Sequence, residues 1–181
     1  MIEISNTSVS NLDRCISSIG LSYYKEKYNP SLAIRLGSQK PCSGHDSYLK
    51  GITVNFMLKA PHYFIIELQR YHFIDIVMST SKMHSLSNSD FFFDNLPPNI
   101  DDGIKSRLIK LYDDYNISKS DLSFNTLLAN LPLGFTLKMY MTTNYLQLKN
   151  IYYQRKNHRL QEWRDFCKWI YELPLMDDIL D

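Results

Sequence analysis

The chain is poor in the residues from which common nucleotide and hydrolase sites are built. It has six glycines in 181 residues. None falls in a G-x-G-x-x-G, a P-loop or a G-x-S-x-G elbow, so those signatures are excluded. Cysteine is also scarce. Cys15, Cys42 and Cys167 are odd in number and far apart, and no two form a C-x-x-C. That argues against a disulfide framework and a structural zinc site, and Cys42 with His45 makes a C-x-x-H that has no second pair to complete four ligands. No metal is expected, and the thiols are expected to be reduced, as in a cytoplasmic protein. No apolar run approaches the roughly 20 residues a bilayer needs. The opening "MIEISNTSVSNLDR" has neither a basic start nor an apolar stretch, so no signal peptide is expected, and the sequons at Asn6 and Asn116 carry no expectation of glycosylation. Net charge is only +1. The chain as a whole is therefore no polyanion binder, and neither nucleic acid nor membrane is an expected partner.

What remains is ordinary globular material rich in tyrosine and phenylalanine. The chain is 44% hydrophobic and 22% charged, with 13 tyrosines and nine phenylalanines. Its length fits a single domain, residues 1–181, with a sizeable core. From Ile52 to Leu58 apolar and polar residues alternate, the period of a half-buried strand. Pro61 stands where a helix can begin, and His62 to Arg70 suits a helix that is apolar around most of its circumference. Such a helix is expected to be buried, against the core or other subunits. Residues 85–103, with Ser, Asn, Asp and a Pro-Pro pair, predict a long loop. Ile104 to Tyr115 predicts a helix, followed by a turn at 116–121 and a break at Leu131–Gly134. Thr143 is expected to cap a helix. Leu160, Trp163, Phe166, Cys167 and Ile170 predict a last helix to Tyr171. The tail, 175–181, is expected to fray.

Three polar clusters stand out: Cys42 to Ser47, Arg70 to His84, and Asn144 to Gln161. Arg70, Tyr71 and His72 close the apolar helix. They are either cations settled on a helix C-terminus or an anion site in which a guanidinium fork grips phosphate. Ser79, Thr80, Ser81, Lys82 and His84 suit phosphate contact or a plain turn. Lys149, Arg155, Lys156, His158 and Arg159, interleaved with Tyr152 and Tyr153, suit a solvated helical face. Single-strand nucleic-acid binding uses the same ingredients, but the neutral net charge opposes it.

Taken in order, these clusters resemble the flavin-dependent thymidylate synthase family. That family carries a region of the form G-H-E-T…strand…K-A-P…R-H-R. The stretch "GHDSYLKGITVNFMLKAPHYFIIELQRYH" (44–72) fits it without a gap. His45 falls on the histidine, Ser47 on the threonine, Lys59-Ala60-Pro61 matches outright, and Arg70 takes the first arginine. Towards the C-terminus, Leu131-Pro132, Asn144, Asn150, Arg155 and Leu160-Gln161 follow the family's second pattern.

The resemblance implies an α/β fold with a mixed sheet and long helices, and a homotetramer with sites between subunits. It implies FAD, a pyrimidine nucleotide substrate, and methylenetetrahydrofolate and NADPH as cosubstrates. His45 would sit at the catalytic flavin. Ser47, Arg70, His72, Asn144, Asn150 and Gln161 would bind the cofactor, and Thr80 or Ser81, Lys82 and Arg155 the substrate. The departures are as informative. Tyr71 and His72 replace the rest of R-H-R, and Val77 and Met78 replace an asparagine and a glutamate. Lys82 replaces an arginine; Leu128 and Leu146 replace two more. Each lost charge-assisted hydrogen bond removes about 1.5–3 kcal/mol of binding. A divergent one-carbon-transferring enzyme is thus one expectation. A non-catalytic protein that binds or sequesters a nucleotide on the same scaffold is the other.

Overall fold

Val54, Phe56, Leu58 and Ala60 are wholly buried, while the residues between them are half-exposed. This alternation makes the expected strand and places it at the centre of the sheet. The computed structural model describes residues 2–25, 27–41 and 43–181, so Cys42 and its C-x-x-H lie outside the described residues. Four strands form the sheet: β1 (Glu3–Ser10), β2 (Thr53–Pro61), β3 (Ile74–Ser79) and β4 (Thr136–Asn144), in the order β1-β2-β4-β3. The helices are α1 (Leu12–Ser18), α2 (Pro30–Gly37), α3 (His62–Leu68), α4 (Lys82–Ser85), α5 (Ser89–Asp94), α6 (Asp102–Ser118), α7 (Asp121–Asn130), α8 (Tyr145–Arg155), α9 (Gln161–Tyr171) and α10 (Met176–Leu180). The α/β class holds, with a sheet that pairs antiparallel at every interface rather than mixed.

One face of the sheet is covered. Phe56 meets Trp169 at 4.5 Å and Phe166 at 6.1 Å between ring centroids, and Phe64 meets Trp163 at 4.6 Å. The apolar stripe of α9 therefore lies against β2 and α3. The other face carries a row of cross-strand partners, Ser5, Met57, Tyr140 and Met78, with Tyr140 and Met78 exposed. An antiparallel sheet tolerates such a bare face because its side chains alternate between core and solvent.

Five expectations are corrected. The helix after Pro61 stops at Leu68; it is amphipathic, burying Phe64, Ile65 and Leu68 and leaving Ile66 47% exposed. Pro61 ends β2 and precedes the helix instead of opening it. Residues 85–103 are not one long loop. Asn88 accepts a hydrogen bond from the Phe91 N–H and starts α5, which buries Phe92 against Tyr112 with ring centroids 4.4 Å apart. The aromatic triplet supplies apolar area that the polar composition around it conceals. Asn144, not Thr143, caps α8, accepting from the Gln147 N–H, while the Thr143 hydroxyl donates to the Phe73 carbonyl at 2.7 Å. The tail does not fray: α10 buries Met176, Ile179 and Leu180, and Ile179 packs where Gly37 of α2 has no Cβ.

Ile179→Ala should therefore cost about 2–5 kcal/mol, the range for emptying a buried isoleucine site. Urea denaturation measures it, and a frayed tail would give a change near zero.

Candidate functional site

Helix α8 forms the spine of the candidate site, because loops from three parts of the chain are fastened along it. At its start Asn144 provides the cap. In its middle Lys149 is wholly buried and its ammonium lies 2.7 Å from the Asp46 carboxylate and 2.7 Å from the Gln39 carbonyl. Lys149 thus leaves the solvated face expected for the basic run and ties Gln39 and Asp46 to the helix. At the end of α8, Arg155 donates from Nε to the Tyr71 hydroxyl at 2.6 Å, and its guanidinium carbon lies 4.7 Å from the centre of the Trp163 ring. The Tyr71 hydroxyl in turn donates to Gln154 at 3.1 Å. Glu67 accepts from the Trp163 indole at 2.7 Å and stands 3.9 Å from Arg155 Nη1.

The remaining expected residues distribute around this spine. His45 is exposed in the turn held by Asp46, and Ser47 donates to the Gly44 carbonyl at 2.6 Å. Gly44 has φ +81, a left-handed backbone that glycine adopts without a Cβ penalty. Arg70 and His72 lie exposed in the turn beyond α3, and among the described residues neither side chain has a partner. Arg70 therefore does not settle on the helix end. Asn150 is half-buried in α8. Gln161 is exposed at the first turn of α9 and is bonded to Asp165 and Arg164.

Thr80, Ser81 and Lys82 lie elsewhere. Thr80 donates through both its N–H and its hydroxyl to the Lys138 carbonyl, beyond the far end of β3. Five residue steps separate Ile74 from Ser79, about 17 Å of extended chain. The turn carrying Tyr71 is at one end of that strand and Lys82 at the other. Within one chain, Lys82 and Arg155 are not brought together on one phosphate.

The Lys82 charge does act on His62. Burial, followed by the Lys82 charge, holds the His62 imidazole below its ordinary value. Burial pushes the Cys167 thiol up to about 12 and raises that of Cys15, so neither is an activated nucleophile at neutral pH. Sequence reading did not find Asp46, Glu67, Gln154 or Trp163 as site residues. Asp46 sits between two residues that were found, but nothing in the sequence couples it to a lysine 103 positions away.

The sequence matches no family model and no curated protein. The fold, however, is that of a flavin-dependent thymidylate synthase. One crystal structure of the Helicobacter pylori enzyme ThyX, complexed with FAD and dUMP, aligns over 98% of this chain and 97% of its own with a TM-score of 0.74 at 17% identity. A second structure of that enzyme with FAD and dUMP aligns over 100% of both chains with a TM-score of 0.75 at 16% identity.

Lys149→Met should cost about 3–5 kcal/mol in urea denaturation, because it strands a buried carboxylate; adding Asp46→Leu should recover most of that. The His62 prediction runs through pH. Its lowered folded value means that the unfolded chain takes up the proton first. His62 should thus cost no stability above the ordinary histidine value, and an increasing amount as pH falls from there through the lowered one. His62→Gln should flatten that part of the acid slope. By proton NMR, Lys82→Met should move the His62 titration partway back towards the ordinary value, since burial is the larger cause.

Proposed function

We propose that the chain is a divergent flavin-dependent thymidylate synthase-like protein that acts on a pyrimidine nucleotide in the cytoplasm. The observation that carries this is the full-length likeness to FAD- and dUMP-bound ThyX; Asn144 and Arg155 stand at the two ends of α8, and Asp46, beside His45, is bound to Lys149 in its middle. The donor set fits a flavin dinucleotide. Arg70 and His72 offer unpaired donors for its phosphates, and Asn144 keeps its amide N–H groups after capping α8 through oxygen. Bound FAD would supply hydride chemistry, with NADPH as reductant and methylenetetrahydrofolate as carbon donor. The chain's own part is to bind and orient. Lys149 and Asp46 hold the turn that presents His45 and Ser47, and the Arg155 fork takes the substrate phosphate. No protein nucleophile is required, in keeping with the inert thiols.

The separation of Thr80, Ser81 and Lys82 from Arg155 supports a site shared between copies. A second subunit supplying Lys82 would complete what one chain leaves open. The bare sheet face with Met57, Tyr140 and Met78 supports assembly, and we propose a homotetramer.

A binding or sequestering role without turnover has its own support. Leu128 and Leu146, at positions where the family carries arginines, pack against the hydrophobic core and offer a ligand nothing.

The purified protein should show absorbance bands at roughly 375 and 450 nm, alone or after addition of FAD. Arg70→Ala should weaken FAD binding by about 1.5–3 kcal/mol while leaving the ligand-free melting temperature unchanged. Light scattering should give a tetramer at micromolar concentration. A colourless protein that ignores FAD would defeat the flavin reading, and a colourless protein that still binds a pyrimidine nucleotide would move the balance to sequestration.

A further inference from the structure

The surroundings of Arg155 contain more than a phosphate-binding arginine needs. Its guanidinium is flanked on one face by the Trp163 ring at 4.7 Å, and its Nε donates to Tyr71 at 2.6 Å. The Tyr71 ring lies 5.6 Å from the guanidinium carbon and meets Trp163 edge-on at 5.7 Å. The Tyr71 hydroxyl spends its own proton on Gln154, so it is oriented to accept from Arg155. The Trp163 ring limits how far the guanidinium can move on that side. The Nε bond fixes its rotation. Among the described residues neither Nη1 nor Nη2 donates a hydrogen bond; the Glu67 carboxylate stands 3.9 Å from Nη1. The arginine's side chain is 21% exposed. The result is a partly buried, immobilised cation whose terminal fork is unspent.

We infer that Tyr71 is a positioning residue for the nucleotide phosphate: it anchors Arg155 through Nε so that Nη1 and Nη2 are held ready for a bidentate anion. The inference rests on the reading of Arg155 as the substrate-phosphate residue. It assigns a role to a position where this chain departs from the R-H-R pattern. Pre-anchoring matters because a free arginine loses rotamer freedom on binding, whereas one already fixed loses little. Lysine cannot replace it, having neither an Nε to anchor nor a planar fork.

The test uses the full chain, with calorimetric titration of dUMP, and of deoxyuridine as the probe without phosphate. In wild type, the Arg155 Nε–H should give a slowly exchanging NMR signal, absent from Arg155→Lys and lost in Tyr71→Phe. Tyr71→Phe should weaken dUMP binding about tenfold and leave deoxyuridine binding unchanged. Arg155→Lys should weaken dUMP binding at least as much, and Tyr71→Phe added to Arg155→Lys should cost no more, because Tyr71 then has nothing to position. Additive losses, or an equal loss for deoxyuridine, would make Tyr71 a support of the fold and overturn the inference. Equal dUMP affinity in wild type and Tyr71→Phe would overturn it directly. If Tyr71→Phe does not fold, Gln154→Ala frees the Tyr71 proton from its acceptor and should weaken dUMP binding in the same way; unchanged affinity there counts against the inference. A wild-type protein that retains the Arg155 signal but does not bind dUMP would defeat the nucleotide reading, a result distinct from any failure of Tyr71.

Discussion

The candidate site depends on a charge that should be costly where it lies. Lys149 is wholly buried, and so nearly is Asp46. Withdrawing two such ions from water costs several kcal/mol each, and their attraction repays this only with good geometry and further hydrogen bonds. The geometry is good: 2.7 Å to the carboxylate and 2.7 Å to the Gln39 carbonyl. A pair of this kind is weak as a source of net stability, since apolar residues of similar volume would serve as well. Its contribution here is registry. It fixes Gln39 and Asp46 on α8, and with Asp46 it holds His45 and Ser47 beside a helix whose two ends carry Asn144 and Arg155.

The fold was legible where burial imposes a simple period. The alternation of β2 and the apolar stripe of α9 follow from one covered sheet face and the helix beneath it. β4 repeats the alternation with Leu137, Met139 and Met141, so its signal was present as well. β1 was not legible: as an edge strand it buries little, and "EISNTSVS" reads as polar chain. β3 is broken by an irregularity between Ile76 and Met78, which spoils its period. The tail and the 85–103 segment were misjudged for a shared reason. Short helices with one to three buried residues draw their order from tertiary packing, and composition weighs their polar residues more heavily.

For the candidate site the sequence supplied candidates but no arrangement. His45, Arg70, Asn144 and Arg155 were proposed through motif order. What holds them was not, because Lys149 with Asp46 and Arg155 with Tyr71 are contacts between residues 103 and 84 positions apart. Motif order also grouped Lys82 with Arg155. A strand running between their neighbourhoods keeps them apart in one chain, so the grouping has meaning only if two chains contribute.

The arginines that the resemblance leads one to expect at positions 128 and 146 have to be weighed against the leucines that stand there. Leu128 and Leu146 have joined the core, where they add apolar burial and offer a ligand no charge. Affinity for an anion depends on how many charges face it and on how much order each must acquire when it binds. Fewer cations can serve if the remaining one is already fixed. Arg155 satisfies that condition on three sides, through Trp163, Tyr71 and the carboxylate of Glu67 at 3.9 Å. The Glu67 charge stabilises the partly buried guanidinium from 3.9 Å, beyond hydrogen-bond reach, so it leaves the fork's N–H groups free. On the proposed reading of Arg155 as the phosphate residue, a guanidinium that is already fixed offsets part of what the leucines at 128 and 146 do not supply.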